Sequence, residues 1–351
     1  MRPAPEARDE PPEAAPATPE GLSQFLSKVL DQLSLSSWLP AALLVGAGAV
    51  ILRMRSQDSV DVIQAVIDLS AAPLGILVVA LFAVVAATML LQAFELTAIR
   101  LLEGYWPPVA SSVGLTGAMV RFHLWRRGRL RGRLVKRRVA AFRAAREVLL
   151  DAGTDLAVLD FHRVTAEGGS FPARPPDDLV AAAARVDWRR SAPAPLLRSY
   201  ESVERAVSLY PAPHRTMPTR LGNTLRQGED RIENLDGGSL RTFVIRSWRG
   251  LPREVQVLHD EYRNRLDLYC TLVFVCAVLA VGGGALLWTV PQGRTGAGVV
   301  LALFAVCAVA AYRAAITSAV GYTGALQAID VHVGERRRAA EGRTTHGAAT
   351  P

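Results

Sequence analysis

Signatures of catalysis and metal binding are scarce in this chain. Its 351 residues include three cysteines and six histidines. They contain no Cys-x-x-Cys, His-Glu-x-x-His, Gly-x-Ser-x-Gly or Gly-x-x-x-x-Gly-Lys string. The usual zinc, serine-nucleophile and phosphate-loop templates are therefore absent. Cys270, Cys276 and Cys307 lie inside apolar runs without metal spacing and read as small packing residues. Acidic residues are missing from Arg121 to Arg146, a stretch dense in arginine. No cofactor, no metal and no enzymatic activity is expected. The first twenty residues carry six prolines and five acids, the composition of a disordered tail rather than of a cleavable signal peptide.

What the chain does have is four long apolar runs. Crossing a bilayer core takes roughly 20 apolar residues in a helix. Residues 32–52 give 21, 71–94 give 24, 268–293 give 26 and 295–312 give 18. The first run is polar at its start and holds Pro40, Gly46 and Gly48, which makes it the weakest of the four. Arginines crowd the segments after the second and fourth runs, whereas the short connections within each pair hold only Arg53 and Arg55 or Arg294. By the positive-inside rule both pairs dip outward and return, leaving the termini and the middle of the chain in the cytoplasm of a cell membrane. Trp38, Trp106 and Trp288 fall near the run boundaries, where amphipathic rings settle.

The expected fold class is a mainly α membrane protein. It has four transmembrane helices in two hairpins, with a cytoplasmic α+β domain inserted between helices 2 and 3. The divisions are a tail at 1–22, a hairpin at 32–106, the domain at 107–252, a second hairpin with helical extensions at 253–333, and a tail at 334–351. Val60, Ile63, Val66 and Ile67 are spaced as a short surface helix between the first two runs. Within the domain, 124–150 predicts a basic helix interrupted or bent at Gly128 and Gly132. Segments 178–188 and 196–210 also predict helices. Residues 156–164 (LAVLDFHRV) and 240–245 (LRTFVI) predict strands. From Pro252 a single helix is expected to run straight into the third span, with a flexible point at Gly282 to Gly284.

Two segments carry the candidate sites. The basic one offers Arg126, Arg127, Arg129, Arg131, Arg133, Lys136, Arg137 and Arg138 as contacts for anionic inner-leaflet lipids, with Trp125, Leu130, Leu134, Val139 and Phe142 interleaved. The net charge of +8 suits such lipids at least as well as nucleic acid, for which no motif is present. The other is 217–230 (MPTRLGNTLRQGED), in which Pro218 and Thr219 open a helix. Arg220 and Asn223, three apart, would share a face, with Glu229 and Asp230 following. They read either as a capped helix holding neighbouring loops or as a polar, anion-binding site. On a strand, Asp160 and His162 would share a face as an acid–base pair. Convergence of both with Arg220 would favour an enzyme.

The strings Tyr210-Pro211, Pro218 to Asn223, Glu229-Asp230, Arg263-x-x-Leu266-Asp267, Gly321-Tyr322 and Ile329-Asp330 together resemble a group of uncharacterised actinobacterial multi-pass integral membrane proteins. Those proteins carry a Pro-Thr-Arg-Leu-Gly-Asn motif, and the similarity covers roughly 205–333. A Tyr-Gly-Leu-Asp stretch of the group is replaced here by Asn234-Leu235-Asp236-Gly237. The resemblance implies a membrane location and no established activity. The function expected is interaction, sensing or anchoring at the membrane, with an oligomeric ion channel or pore as the alternative and a membrane-bound enzyme third. Expected partners are the membrane, further copies of the chain and a cytoplasmic protein.

Overall fold

The computed structural model describes residues 35–57, 61–235, 238–290 and 293–347. The N-terminal tail, Val60 and the Asp236-Gly237 pair lie outside the described residues, as does the end of the C-terminal tail. The first hairpin consists of α1 (Leu35–Ser56), a short α2 (Val62–Ser70) and α3 (Leu74–Glu103). Asp61 caps α2, accepting from the Gln64 amide at 2.9 Å. An Arg53–Asp68 ion pair at 3.0 Å fastens it to the end of α1. Gly104, at φ 104°, terminates α3 in the left-handed conformation that glycine adopts without steric cost.

The second hairpin is α11 (Arg253–Val278), a π-helical turn (Leu279–Gly283), α12 (Gly284–Trp288) and α13 (Gly293–Gly347). Four helical stretches are long and apolar enough to cross a membrane: Trp38–Ser56, Leu74–Ser112, Arg253–Trp288 and Gly293–Ala339. Their apolar side chains remain outward-facing along much of α3 and α13, as at Leu74, Val79, Phe82, Met89, Val299 and Val306. Lipid tails are the solvent such a surface requires.

Three apolar clusters are stacked along the bundle. At the hairpin-turn end, Ile51 and Met54 of α1 meet Ala65, Val275, Leu279, Leu287, Ala297 and Val300. The π turn sits in this layer. At Gly283 an added Cβ would lie 2.8 Å from Ile51 and 3.0 Å from Val300, so the glycine lets α1 and α13 close on the third span. In the second layer Ile99, Leu266, Cys270, Ala315, Ile316 and Ala319 surround Leu221. The third, where α11 and α13 run on beyond the spans, joins Tyr322, Leu326 and Ile329 to Ile232, Phe243 and Leu251. Here Gly321 is required by close approach, since a Cβ would lie 2.1 Å from the Tyr262 ring.

Between the hairpins lie α4 (Pro108–Ser112), α5 (Leu115–Asp151), α6 (Leu156–Glu167), α7 (Asp177–Arg185), α8 (Ala194–Ser208), α9 (Arg220–Glu229) and α10 (Leu240–Trp248). The helices α6 and α8 pack on α5. Phe142 stands edge-on to Trp188 at 5.7 Å, and Trp188 leans on Tyr200 at 6.0 Å.

The α+β expectation for this domain is overturned: among the described residues there is no strand. Residues 156–164 belong to α6, and 240–245 to α10. Capping explains both. Asp155 accepts from the Ala157 amide at 2.9 Å, and Gly168 closes α6 at φ 72°. Ser239 accepts from the Thr242 amide at 3.2 Å at the start of α10. With those ends defined, Leu240, Phe243 and Val244 fall at helical spacing onto the third cluster. Period-2 alternation over a short apolar run could not distinguish the two states, and two short strands without further partners would be marginal.

Smaller differences follow the same logic. The helix α5 is continuous through Gly128 and Gly132. From Pro252 one helix does run on into the third span, and the π turn at Leu279–Gly283 overlaps the expected flexible point, whereas α13 continues to Gly347 through part of the segment read as a tail.

Candidate functional site

The 217–230 segment returns from the domain and seats α9 against α3 and α13. Thr219 is the N-cap: its hydroxyl oxygen accepts from the Gly222 amide at 3.0 Å and donates to the Glu103 carbonyl at 2.8 Å. One side chain thus satisfies an orphan amide of α9 and an orphan carbonyl at the end of α3. Gly222 carries no side chain because there is no room for one: a Cβ would lie 1.9 Å from the Glu103 oxygen. Gly104 meets the same crowding, with Pro218 atoms 2.4 and 2.7 Å from a built Cβ. Leu221, fully buried, projects into the second cluster, and its amide donates to the Tyr312 hydroxyl at 3.3 Å. At the far end of α9, Gly228 lies against Thr323 of α13, 2.1 Å from a built Cβ.

The four predicted polar residues occupy different surroundings. Asn223 is 1 % exposed and fully engaged with backbone. Its Oδ1 accepts from the Met217 amide at 2.9 Å, and its Nδ2 donates to the carbonyls of Met217 (2.9 Å) and Thr219 (2.6 Å). It holds the turn into α9. Arg220 is exposed and does not share that environment. Glu229 and Asp230 meet Arg215 at 3.6 and 3.0 Å, and Glu229 also meets Arg226 at 3.0 Å. Arg226 in turn donates to the Tyr105 hydroxyl at 2.6 Å. The acids therefore clamp the approach to α9 and its end onto the exit from α3.

Downstream, Asp330 forms a comparable clasp. It is buried and accepts from the amides of Glu233 and Asn234, each at 3.0 Å. The Asn234 side-chain amide adds a further bond to the same carboxylate at 3.0 Å. The separated strings around Pro218–Asn223, Glu229-Asp230, Arg263–Asp267, Gly321-Tyr322 and Ile329-Asp330 thus share one region of the fold. Arg263 and Asp267 pair at 3.0 Å there. The Glu103 carbonyl, Gly104, Tyr105, Arg215 and Tyr312 belong to the same region but were not singled out from the sequence. No local pattern marks them in the sequence, because each acts through a partner far along the chain.

The basic helix divides its eight candidates. Arg126, Arg129, Arg131, Arg133, Lys136 and Arg137 are exposed. Arg137 reaches the Ser199 carbonyl at 3.4 Å, and Arg138 donates to the Ala166 carbonyl at 2.8 Å at the end of α6. Arg127 is only 8 % exposed, and burial, with the Arg131 charge beside it, pulls its guanidinium below the usual range. Beside the exposed cations Phe122 and Trp125 are 44 % and 57 % exposed, with Arg129 stacked 5.4 Å over the indole. At the root of α5, His123 Nδ1 meets the Tyr210 hydroxyl at 3.2 Å. Burial lowers the proton affinity of His123, helped by the Arg126 and Arg220 charges, and burial raises the Tyr210 phenol.

Asp160 and His162, two apart on α6, point to different sides. Asp160 pairs with Arg163 at 3.3 Å, while His162 Nε2 meets the Ala183 carbonyl at 3.2 Å. Arg220 stands apart, on α9. No group of three or more His, Cys, Asp or Glu side chains suited to a metal occurs among the described residues. No protein-family model matches the chain, and no curated protein or solved structure is significantly similar to it.

Proposed function

We propose that this is an integral membrane protein that works through its helical domain, by interaction, sensing or anchoring at the inner leaflet, and not by chemistry of its own. The observation that supports this is the seating of α9. A helix seated on α3 and α13, with Leu221 fully buried in the cluster that Leu266 and Cys270 of α11 share, ties the domain to the bundle. A partner or ligand bound to the domain would bias the packing of the spans, and the reverse holds by linkage. The same helix occupies the domain-side end of the four-helix unit, which argues against a conducting path inside one chain.

The arginines of α5 and of the end of α13 favour the cytoplasm of a cell membrane for the domain and both termini. Phe122 and Trp125, flanked by Arg126, Arg129 and Arg133, form an amphipathic strip suited to anionic headgroups. In native mass spectrometry from mild detergent the expected species is a monomer or dimer. A closed ring of four or more subunits would overturn the reading in favour of an oligomeric pore. A membrane-impermeant thiol reagent applied to intact cells should label Ser70→Cys and leave Ser170→Cys unlabelled, and the opposite pattern would reverse the orientation.

A further inference from the structure

Between the end of α3 and the basic part of α5 lies a stretch that neither the bundle nor the domain core takes up. From Gly104 to Val120 it holds no charged residue. The helix α4 packs on the start of α5 and forms no other extended contact among the described residues. Val109 and Val113 are 71 % and 70 % exposed. The Val113 amide donates to the Val109 carbonyl at 3.1 Å, so the two side chains, four apart, stand on one side of the turn. Gly114, at φ 72°, then turns the chain into α5. Leu115, Ala118, Phe122 and Trp125 follow at helical spacing and are all exposed, while His123, on another face, is buried. Arg129 and Arg133 prolong the exposed stripe, which therefore changes from apolar to cationic along the helix.

The bundle fixes the height of this stretch. Thr219 donates to the Glu103 carbonyl at 2.8 Å, and the Leu221 amide donates to the Tyr312 hydroxyl at 3.3 Å. The end of α3 therefore lies within the first turn of α9 from Tyr312, which closes the fourth apolar run just before Arg313. The helix α4 leaves the bundle at the membrane interface, not out in water. We infer that α4 and the first turns of α5 form a foot resting in the leaflet on the domain side, with Val109, Val113, Leu115 and Phe122 among the upper acyl carbons and Arg121, Arg126 and Arg129 on the phosphates. Lipid is the occupant, and not a second copy or a protein, for two reasons. The apolar surface is exposed at the height where acyl chains begin. The charge that follows it has one sign, with no acid from Gly104 to Arg146, which complements anionic headgroups. The inference rests on the proposal that the domain works at that leaflet, and adds the element that docks there.

The test reads depth with tryptophan. Full-length Val109→Trp and Val113→Trp are reconstituted into vesicles of phosphatidylcholine and phosphatidylglycerol whose acyl chains carry bromine either near the headgroup or near the chain end. An interfacial helix reaches about 5–10 Å into the headgroup and acyl boundary. The emission that each substitution adds to wild type should therefore be lost to the shallow bromine and largely kept with the deep one. Leu156→Trp is the control: Leu156 is exposed and opens α6, beyond the far end of α5, so its added emission should persist with both lipids. Equal loss at positions 113 and 156 would overturn the inference, as would stronger quenching of Val113→Trp by the deep bromine. Unquenched Val113→Trp emission in a dimer that Val113→Asp dissociates would give the face to a second copy and also overturn it. Two valine variants are used so that one with the wild-type thermal midpoint can be read if the other misfolds. A ring of four or more subunits would overturn the functional reading while the shallow quenching stood. Absent quenching would overturn the foot and leave the results of native mass spectrometry and thiol labelling as they were.

Discussion

Replacing Gly222 with alanine adds one methyl group where α9 meets the end of α3. In the native geometry that carbon would lie 1.9 Å from the Glu103 carbonyl oxygen, 2.9 Å from its carbon and 3.1 Å from Met217 Cβ. Non-bonded carbon contacts settle near 3.5 Å or beyond, so the two helices must separate by more than about 1 Å. Neither the oxygen nor the carbon belongs to a flexible side chain that could swing away. Separation also stretches the 2.8 Å bond from Thr219 to the same carbonyl. Overpacking of this kind costs about 1–3 kcal/mol, and the weakened bond adds about 1 kcal/mol. The expected loss is therefore about 2–4 kcal/mol, against a small gain in helix propensity. Gly128→Ala on α5 is the matched control, because nothing lies within 4 Å of its Cβ position. There the change should stabilise by roughly 0.5–1 kcal/mol, the ordinary gain of alanine over glycine in a helix. Thermal unfolding in detergent, followed by tryptophan emission, should place the Gly222→Ala midpoint several degrees below wild type and Gly128→Ala at or above it. Equal midpoints for the two variants would refute the close contact between α9 and α3.

Asn223→Ala leaves the Met217 amide and carbonyl without their side-chain partner in a buried turn and should destabilise by about 2–3 kcal/mol, read from the same melts. Asp330→Ala frees the amides of Glu233 and Asn234, so hydrogen exchange should accelerate at these two positions while the bundle stays protected. His123 is held neutral by burial, with proton affinity below its ordinary value of 6.5. Below that value the unfolded chain binds more protons at this site than the folded one, so its contribution to stability is lost as pH falls. Melting from pH 7.5 to 5.5 should show a wild-type decline that His123→Gln reduces; an identical decline in both would assign it elsewhere. In proteoliposomes containing brominated phosphatidylglycerol, Trp125→Phe should lower the quenchable tryptophan emission, and unchanged quenching would place the α5 strip away from lipid.

Span-forming segments were legible because their signal is one-dimensional. A run of apolar residues is long enough to cross a bilayer or it is not, and the four runs reappear as four sufficiently long helices. The cap at Thr219 was legible for the same local reason. The domain's secondary structure was not, because short apolar runs such as 156–164 fit either period until Asp155 and Gly168 define the ends of a helix. The reading of Arg220 with Asn223 rested on helical spacing alone. Spacing places two residues near one face but does not say which of them a neighbouring turn encloses.

By itself, the sequence determined the number of long apolar helices, their pairing around a basic middle and the start of α9. Each depends on residues near one another along the chain. Tertiary structure alone decided what those residues face. Gly222 is a glycine because Glu103, 119 positions earlier, occupies the space of its side chain. Asp330 is buried because the loop at 233–234 closes over it. Such contacts arise from closing long loops against packed surfaces, and local periodicity carries no record of them.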